Sequence, residues 1–283
     1  MEKLLFGPAG VLLSARGTST SAGIERVAEL GLGCMELEFV RGVKMGRETA
    51  LTVAELASKR KITLSAHAPY YINLNAKGEK LAASIGRVLQ TARIASLCGA
   101  VSIVFHAAFY MNDSPSQVYE QVKKQVQQIM SQLKAEGNQV WVRPEVTGKT
   151  RQFGTLDELI ELSAEVEGVA PCIDFAHWHA RTGKFNSYDE FVFILKQVES
   201  KLGRRALDNI HIHVSGIAYS KHGEVKHLNL KESDFNYVDF ARALSDCKVK
   251  GLIICESPRP NLEEDVLLLQ QTYRAACRHR AGS

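Results

Sequence analysis

Short, almost uniformly apolar runs alternate along the chain with longer segments in which apolar positions recur every three or four residues. The runs lie near residues 3–6, 34–39, 62–66, 101–105, 139–144, 170–174, 209–214 and 251–255. A strand wetted on one face alternates apolar and polar residues, whereas VSIVF and GLIIC do not, so these runs predict strands covered on both faces. The intervening segments include 21–30, 79–97, 116–134, 156–166, 188–201, 237–244 and 262–277, whose periodicity predicts helices with one apolar stripe. Eight such units predict an α/β fold. A closed (β/α)₈ TIM barrel leaves no edge strand over, and an open doubly wound sheet is the alternative.

At 283 residues the chain is long for one domain, but α/β barrels of roughly 250 residues or more commonly are one. No linker rich in Pro, Gly and Ser interrupts the pattern, so residues 1–283 are expected to form a single barrel domain. Hydrophobic residues at 45% and charged residues at 23% fit an ordinary globular core and argue against disorder. The start, MEKLLFGPAG, lacks the apolar stretch of an export signal, and no apolar run approaches the roughly eighteen residues of a membrane span. Six cysteines are scattered without a C-x-x-C pair, which suits reduced thiols and a cytoplasmic location. The net charge of +4 is compatible with a phosphate-bearing partner without demanding one.

The chemistry sits where the strands end. Strand three ends at His67, strand four at His106, strand five at Glu145, strand six at Asp174, strand seven at His213 and strand eight at Glu256. In a closed barrel these positions share one rim, where active sites are assembled. A lone histidine in an apolar run is usually a hydrogen-bonded core residue, but six consecutive strands delivering metal-competent side chains point to one shared site. Carboxylates such as Glu145 and Glu256, set among apolar neighbours, are costly to bury without a counter-charge, and a metal supplies it. His211 shares a strand face with His213 but lies deeper, so it is read as a core residue. The loop after Asp174 adds His177 and His179, at least one of which should reach the cluster.

Nitrogen and oxygen donors without thiolate suit zinc, with manganese or iron as weaker candidates. Seven or more ligands exceed the needs of one catalytic zinc, so two or three ions are expected to share them. Paired metals about 3.5–4 Å apart suit in-line displacement at a phosphodiester.

The segment SAHAPYYINL at 65–74 resembles the His-x-x-Tyr-x-Ile-Asn-Leu signature of the endonuclease IV family of apurinic/apyrimidinic endonucleases, within the xylose-isomerase-like barrel superfamily. FHAA at His106, Pro-Glu at Glu145, IDFAH ending at His177, HVSG from His213 and ICES around Glu256 extend the resemblance across nearly the whole chain. It implies that His67, His106 and Glu145 hold one zinc. Glu145, the catalytic centrepiece, would bridge to a second held by Asp174, His213 and Glu256, and His177 would belong to a third. The activity implied is hydrolysis of double-stranded DNA on the 5′ side of abasic sites, in base excision repair, by a monomer. Tyr70 matches a residue that fills the minor groove, and Arg41 and Lys44 in VRGVKMG lie where the family places DNA-penetrating side chains. A solvated basic loop is the plainer account of the last two.

One departure stands out. Where the family completes the third zinc site with an Asp-x-His pair, this chain reads Glu224, Val225, Lys226, His227. A protonated lysine is no ligand, so Glu224, His227 or His179 is expected to substitute, or the third ion is lost. Two competing readings follow. A single-metal sugar isomerase or epimerase of the same superfamily would use only Glu145, Asp174, His213 and Glu256, and a DNA-binding protein without catalysis would follow from the altered third site.

Overall fold

In the computed structural model, which describes residues 1–282, eight parallel strands close into a (β/α)₈ barrel. They are β1 (Leu4–Pro8), β2 (Cys34–Glu38), β3 (Thr63–His67), β4 (Ser102–Phe105), β5 (Trp141–Pro144), β6 (Cys172–Asp174), β7 (Ile210–Val214) and β8 (Gly251–Cys255). Two four-stranded arcs, β2-β3-β4-β5 and β6-β7-β8-β1, carry the ladder hydrogen bonds. Bridges between Ala9 and Glu36 and between Glu145 and Cys172 join the arcs, so no open edge remains. Observed strand limits fall within two residues of the apolar runs.

The outer helices pack by their apolar stripes, as in the helices Pro115–Ala135 and Tyr188–Leu202, whose buried residues are mainly Val, Ile, Leu and Phe. The helix Arg47–Arg60, after β2, left no such trace in the sequence. Its buried positions are Ala50, Val53 and Ala57, too small to write a clear stripe, and its N-terminus lacks a side-chain cap. Among the described residues no helix is long and apolar enough to cross a membrane.

Outward-facing strand residues such as Phe6, Leu37, Ile103, Val142, Ile173 and Ile212 join the main apolar core beneath the helices. Inside, the barrel departs from the branched apolar layers usual for the fold. Cys34, Leu252 and Ile254, with Leu5, Ala9 and Val101 against them, form a small apolar plug. Val104 also faces inward, and most of the remaining interior is polar. Arg143 is buried near the N-terminal end, where it donates to the carbonyls of Pro171 (3.1 Å) and Asn209 (2.7 Å), and burial lowers its pKa to about 10. Above it lie Glu36, Ser65, Ser102, Cys172 and His211, all buried, and above these the strand-end residues.

Candidate metal centre

Glu145, directly after β5 and 1% exposed, lies at the middle of the strand ends. Its Oε2 is 3.1 Å from His67 Nε2 and 2.9 Å from His106 Nε2. Its Oε1 is 3.2 Å from His177 Nδ1 and 3.4 Å from His213 Nδ1. His213 Nδ1 also lies 3.2 Å from Glu256 Oε1, and Asp174 Oδ2 lies 3.2 Å from His177 Nδ1. Ligand atoms of His67, His106 and Glu145 fall within 4.8 Å of one another, as do those of Glu145, Asp174, His213 and Glu256 and those of Asp174, His177 and His227. These groups share Glu145 and Asp174, so the donors form one continuous cluster.

Hydrogen bonds outside the cluster set the rings. The Nδ1–H of His67 donates to the Ala68 carbonyl (2.8 Å) and that of His227 to the Glu256 carbonyl (3.1 Å), leaving each Nε2 lone pair turned inward. The side chain of Asp174 caps the helix Phe175–Thr182, its Oδ1 accepting from the backbone N–H of His177 at 2.7 Å, while Oδ2 stays free for the cluster.

Buried acceptors without a hydrogen-bond partner are uncommon, yet Glu145 Oε1, Asp174 Oδ2 and His213 Nδ1 are all of this kind and all face the same space. His177 Nε2 and His227 Nε2 face each other at 3.0 Å, so either a proton on one ring or a cation must lie between the two nitrogens. The donor set therefore fits divalent metal ions bound by nitrogen and oxygen. Charge supports this fit. Burial disfavours an imidazolium at His67, but Glu145 beside the ring outweighs it and raises the pKa to about 10. Burial likewise opposes the charged forms of His177 and His213, and the surrounding acids nevertheless hold both well above the ordinary range. Burial alone would raise Glu145, and His106 and His213 reverse it, holding the carboxyl far below its usual pKa. Protons on the rings thus occupy the electrostatic role of a metal, and metal entry displaces them.

The departure at residues 224–227 has a structural answer. After β7 the chain forms a hairpin, Gly216–Ser220 against Gly223–Leu228, whose register slips so that Ala218 faces Lys226 while Tyr219 faces Glu224. Val225 is the extra residue, 59% exposed. Such a bulge re-aims side chains, so Glu224 and His227 serve the same face despite their spacing of three. Glu224 Oε2 comes to 3.5 Å from His177 Nε2, and Lys226 is exposed. Gly148 makes room for this approach, since a Cβ there would lie 2.5 Å from Glu224 Cβ and 3.1 Å from His177 Cδ2. His179 goes elsewhere. Its Nδ1–H donates to the Lys184 carbonyl (2.8 Å) and its Nε2 lies 3.3 Å from Asp234 Oδ2, so it is not among the cluster's donors.

Sequence reading missed Glu36. This fully buried carboxylate on β2 lies 2.9 Å from His213 Nε2 and 3.2 Å from His211 Nε2, and accepts from Ser65 Oγ at 2.7 Å. Ser102 Oγ is 3.0 Å from His211 Nδ1. Burial lowers the His211 pKa to about 4, so this ring is neutral. One proton arrangement fits the column: Ser102 donates to His211 Nδ1, and the Nε2–H groups of His211 and His213 lie at ion-pair distance from Glu36 without hydrogen-bond geometry. That leaves His213 Nδ1 for the cluster, the reverse of His67. Glu38 is the neighbour of His67 across the β2–β3 ladder, and burial raises its pKa to about 8. The missed signal was MELE in a predicted buried strand, two acids on the inward face.

Tyr70 and Tyr71 stand on the loop after β3, 49% and 59% exposed, with ring centroids 4.6 Å apart. Arg41 and Lys44 are exposed on the loop after β2, and Arg41 is close enough to act electrostatically on the Tyr71 hydroxyl.

Comparison with known proteins places these observations in context. The xylose isomerase-like TIM barrel family matches residues 24–278. An uncharacterised protein of Methanocaldococcus jannaschii is 45% identical over 272 residues, covering 95% of this chain and 97% of the relative. Among solved structures, endonuclease IV from Thermus thermophilus superposes with a TM-score of 0.72 at 20% identity, over 96% of this chain and 99% of that one. A D-tagatose 3-epimerase-like protein gives 0.75 at 15% identity, over 98% and 99%. At these identities the two structures speak to the fold alone.

Proposed function

Because the chain belongs to the xylose isomerase-like TIM barrel family, we propose that it is a zinc-dependent endonuclease that hydrolyses the DNA phosphodiester 5′ to abasic sites. The observation that carries this reading is the number of converging donors. Glu145, Asp174, His213 and Glu256 suffice for one ion, yet His67, His106, His177, His227 and Glu224 join the same cluster. A single-metal isomerase or epimerase leaves those five without a role. Bound divalent ions would supply Lewis acidity at the phosphate and an activated water.

The protein's own groups position. His67, His106 and Glu145 would hold one ion, Glu145 with Asp174, His213 and Glu256 a second, and His177, His227 and Glu224 a third. Glu145 offers one oxygen to each side and would be the residue shared between two ions. Tyr70, with Arg41 and Lys44 on the adjacent loop, would meet the duplex beside the lesion. The protein would act as a cytoplasmic monomer.

The test is incubation of the protein with a labelled duplex carrying one abasic-site analogue, with zinc, manganese or magnesium and with or without chelator. Incision should be abolished by chelation and by Glu145→Ala. No incision with any of the three metals overturns the assignment, and a content of one ion per chain favours the epimerase reading.

A further inference from the structure

A cleft leads away from the cluster at Glu224. Three rim segments wall a cavity of about 810 Å³: Phe109–Asn112 after β4, Lys149–Gln152 after β5, and His222 with Glu224 on the hairpin after β7. The walls are tied to one another by backbone. Residues Ala108–Phe109 pair antiparallel with Gln152–Phe153, and the Tyr110 N–H donates to the Arg151 carbonyl at 3.1 Å. Lys149 bridges to Gly223, and the Glu224 N–H donates to the Gly148 carbonyl at 3.0 Å. Arg181 pins the middle wall from behind, its Nη1 lying 2.9 Å from the carbonyls of both Lys149 and Gln152. The cleft is therefore preformed, and a ligand need not order it.

Its surface has two characters. Lys149 and Arg151 are exposed, and among the described residues the only ion pair of either is a loose one from Lys149 to Glu224 at 3.9 Å. Across from them stand Phe109, Tyr110 and Met111, the last 70% exposed with φ +55. Cations flanked by flat or flexible apolar side chains are the combination that holds a nucleic acid strand, backbone to the charges and base to the apolar wall. The volume lies within the range of small-molecule sites.

We propose that this cleft is a nucleotide subsite, in which Lys149 and Arg151 hold a phosphodiester and Met111 lies against the base, one step along the strand from the metal cluster. The inference deepens the endonuclease reading by giving the strand a path across the rim.

The experiment uses the metal-loaded chain and a fluorescent abasic-analogue duplex with a phosphorothioate at the incision point, with affinity measured by anisotropy as salt is varied. Neutralising two phosphate contacts should lower the salt slope by about 1.8. Between about 50 and 200 mM salt, Lys149→Ala/Arg151→Ala should then lose about twelvefold less affinity than the parent. Lys3→Ala/Arg274→Ala, on the opposite face of the barrel, should keep the parental slope. Met111→Ala should weaken binding by one factor at every salt concentration. Metal content is measured alongside, and if the double variant loses metal, Arg151→Ala alone should still lower the slope by about 0.9. A parental slope in the double variant, or in Arg151→Ala where that is the one used, overturns the proposal. If the parent incises and the slope is unchanged, this subsite falls and the endonuclease stands. If the slope falls as expected but the parent never incises, the reverse holds.

Discussion

Replacing Glu36 tests how the barrel interior supports the cluster. Glu36 touches no candidate metal position itself; it lies 2.9 and 3.2 Å from the far nitrogens of His213 and His211 and accepts from the hydroxyl of Ser65 at 2.7 Å. Glu36→Ala strands these buried donors, and breaking a buried charge network in this way costs about 3–5 kcal/mol of stability. Glu36→Gln is gentler. Its carbonyl still accepts from His213, its amide donates to His211 Nε2, and His211 moves its own proton to Nδ1 to meet Ser102. The volume is kept, the fold is kept, and the negative charge behind His213 is gone. Loss of an outer carboxylate on a ligating histidine lowers metal affinity by about 10- to 100-fold, which is about 1.4–2.7 kcal/mol. Competition with a chromophoric chelator reads the affinity, thermal denaturation of the metal-free protein reads the fold, and nitrogen-15 spectra of the imidazoles read the His211 tautomer. Metal binding within twofold of the parent, with the tautomer moved, would refute the idea that Glu36 acts through His213.

The same geometry makes further predictions. Metal affinity should rise with pH, because the His67 ring, with its pKa raised to about 10, is protonated near neutrality and must lose that proton to bind; calorimetry in buffers of different ionisation enthalpy should count protons released. In the metal-free protein the raised His67 pKa contributes stability that is fully present below the unfolded value near 6.5 and fades as pH climbs through about 10, so alkaline pH should lower the melting temperature more without metal than with it. Gly148→Ala places a Cβ 2.5 Å from Glu224 Cβ and should remove one ion per chain by elemental analysis while costing about 1–3 kcal/mol. Deleting Val225 removes the bulge but leaves Glu224 and His227 two apart on one strand face, so that variant should keep the ion, and retention of full metal content in Gly148→Ala would refute the assignment of Glu224 to the His177 group.

The fold was readable because burial on both faces writes itself as uninterrupted apolar runs, and the strand-end residues were readable because each follows such a run directly. His67, His106, Glu145, Asp174, His213 and Glu256 needed only strand limits good to two residues. Glu224 was ambiguous for a different reason. Side-chain direction along a strand depends on strict alternation, and the extra residue Val225 breaks it in a way visible only once the pairing of Gly216–Ser220 with Gly223–Leu228 is known. Glu36 was missed because its partners His211, His213 and Ser65 come from two other strands, and only barrel closure brings them together. The helix Arg47–Arg60 escaped because alanine packs well and marks little.

Charge balance connects the interior to the number of ions. Glu36, Glu38, Glu145, Asp174, Glu224 and Glu256 crowd one end of the barrel, and most of their neighbours there are imidazoles. Without metal, neutrality must come from protons, which is why His67, His177 and His213 are pushed toward imidazolium while burial drives Glu38 and Asp174 toward the neutral acid. Ligating imidazoles must be neutral, so when metals enter, that proton charge leaves the site. A single divalent ion would then face as many as six carboxylates in a space that Coulomb's law does not forgive. Two ions leave a deficit that Glu38 and one further proton can meet, and three remove it. The interior is thus composed for several cations at once, and a mutation that lowers the occupancy of one should raise the protonation of the acids around the others.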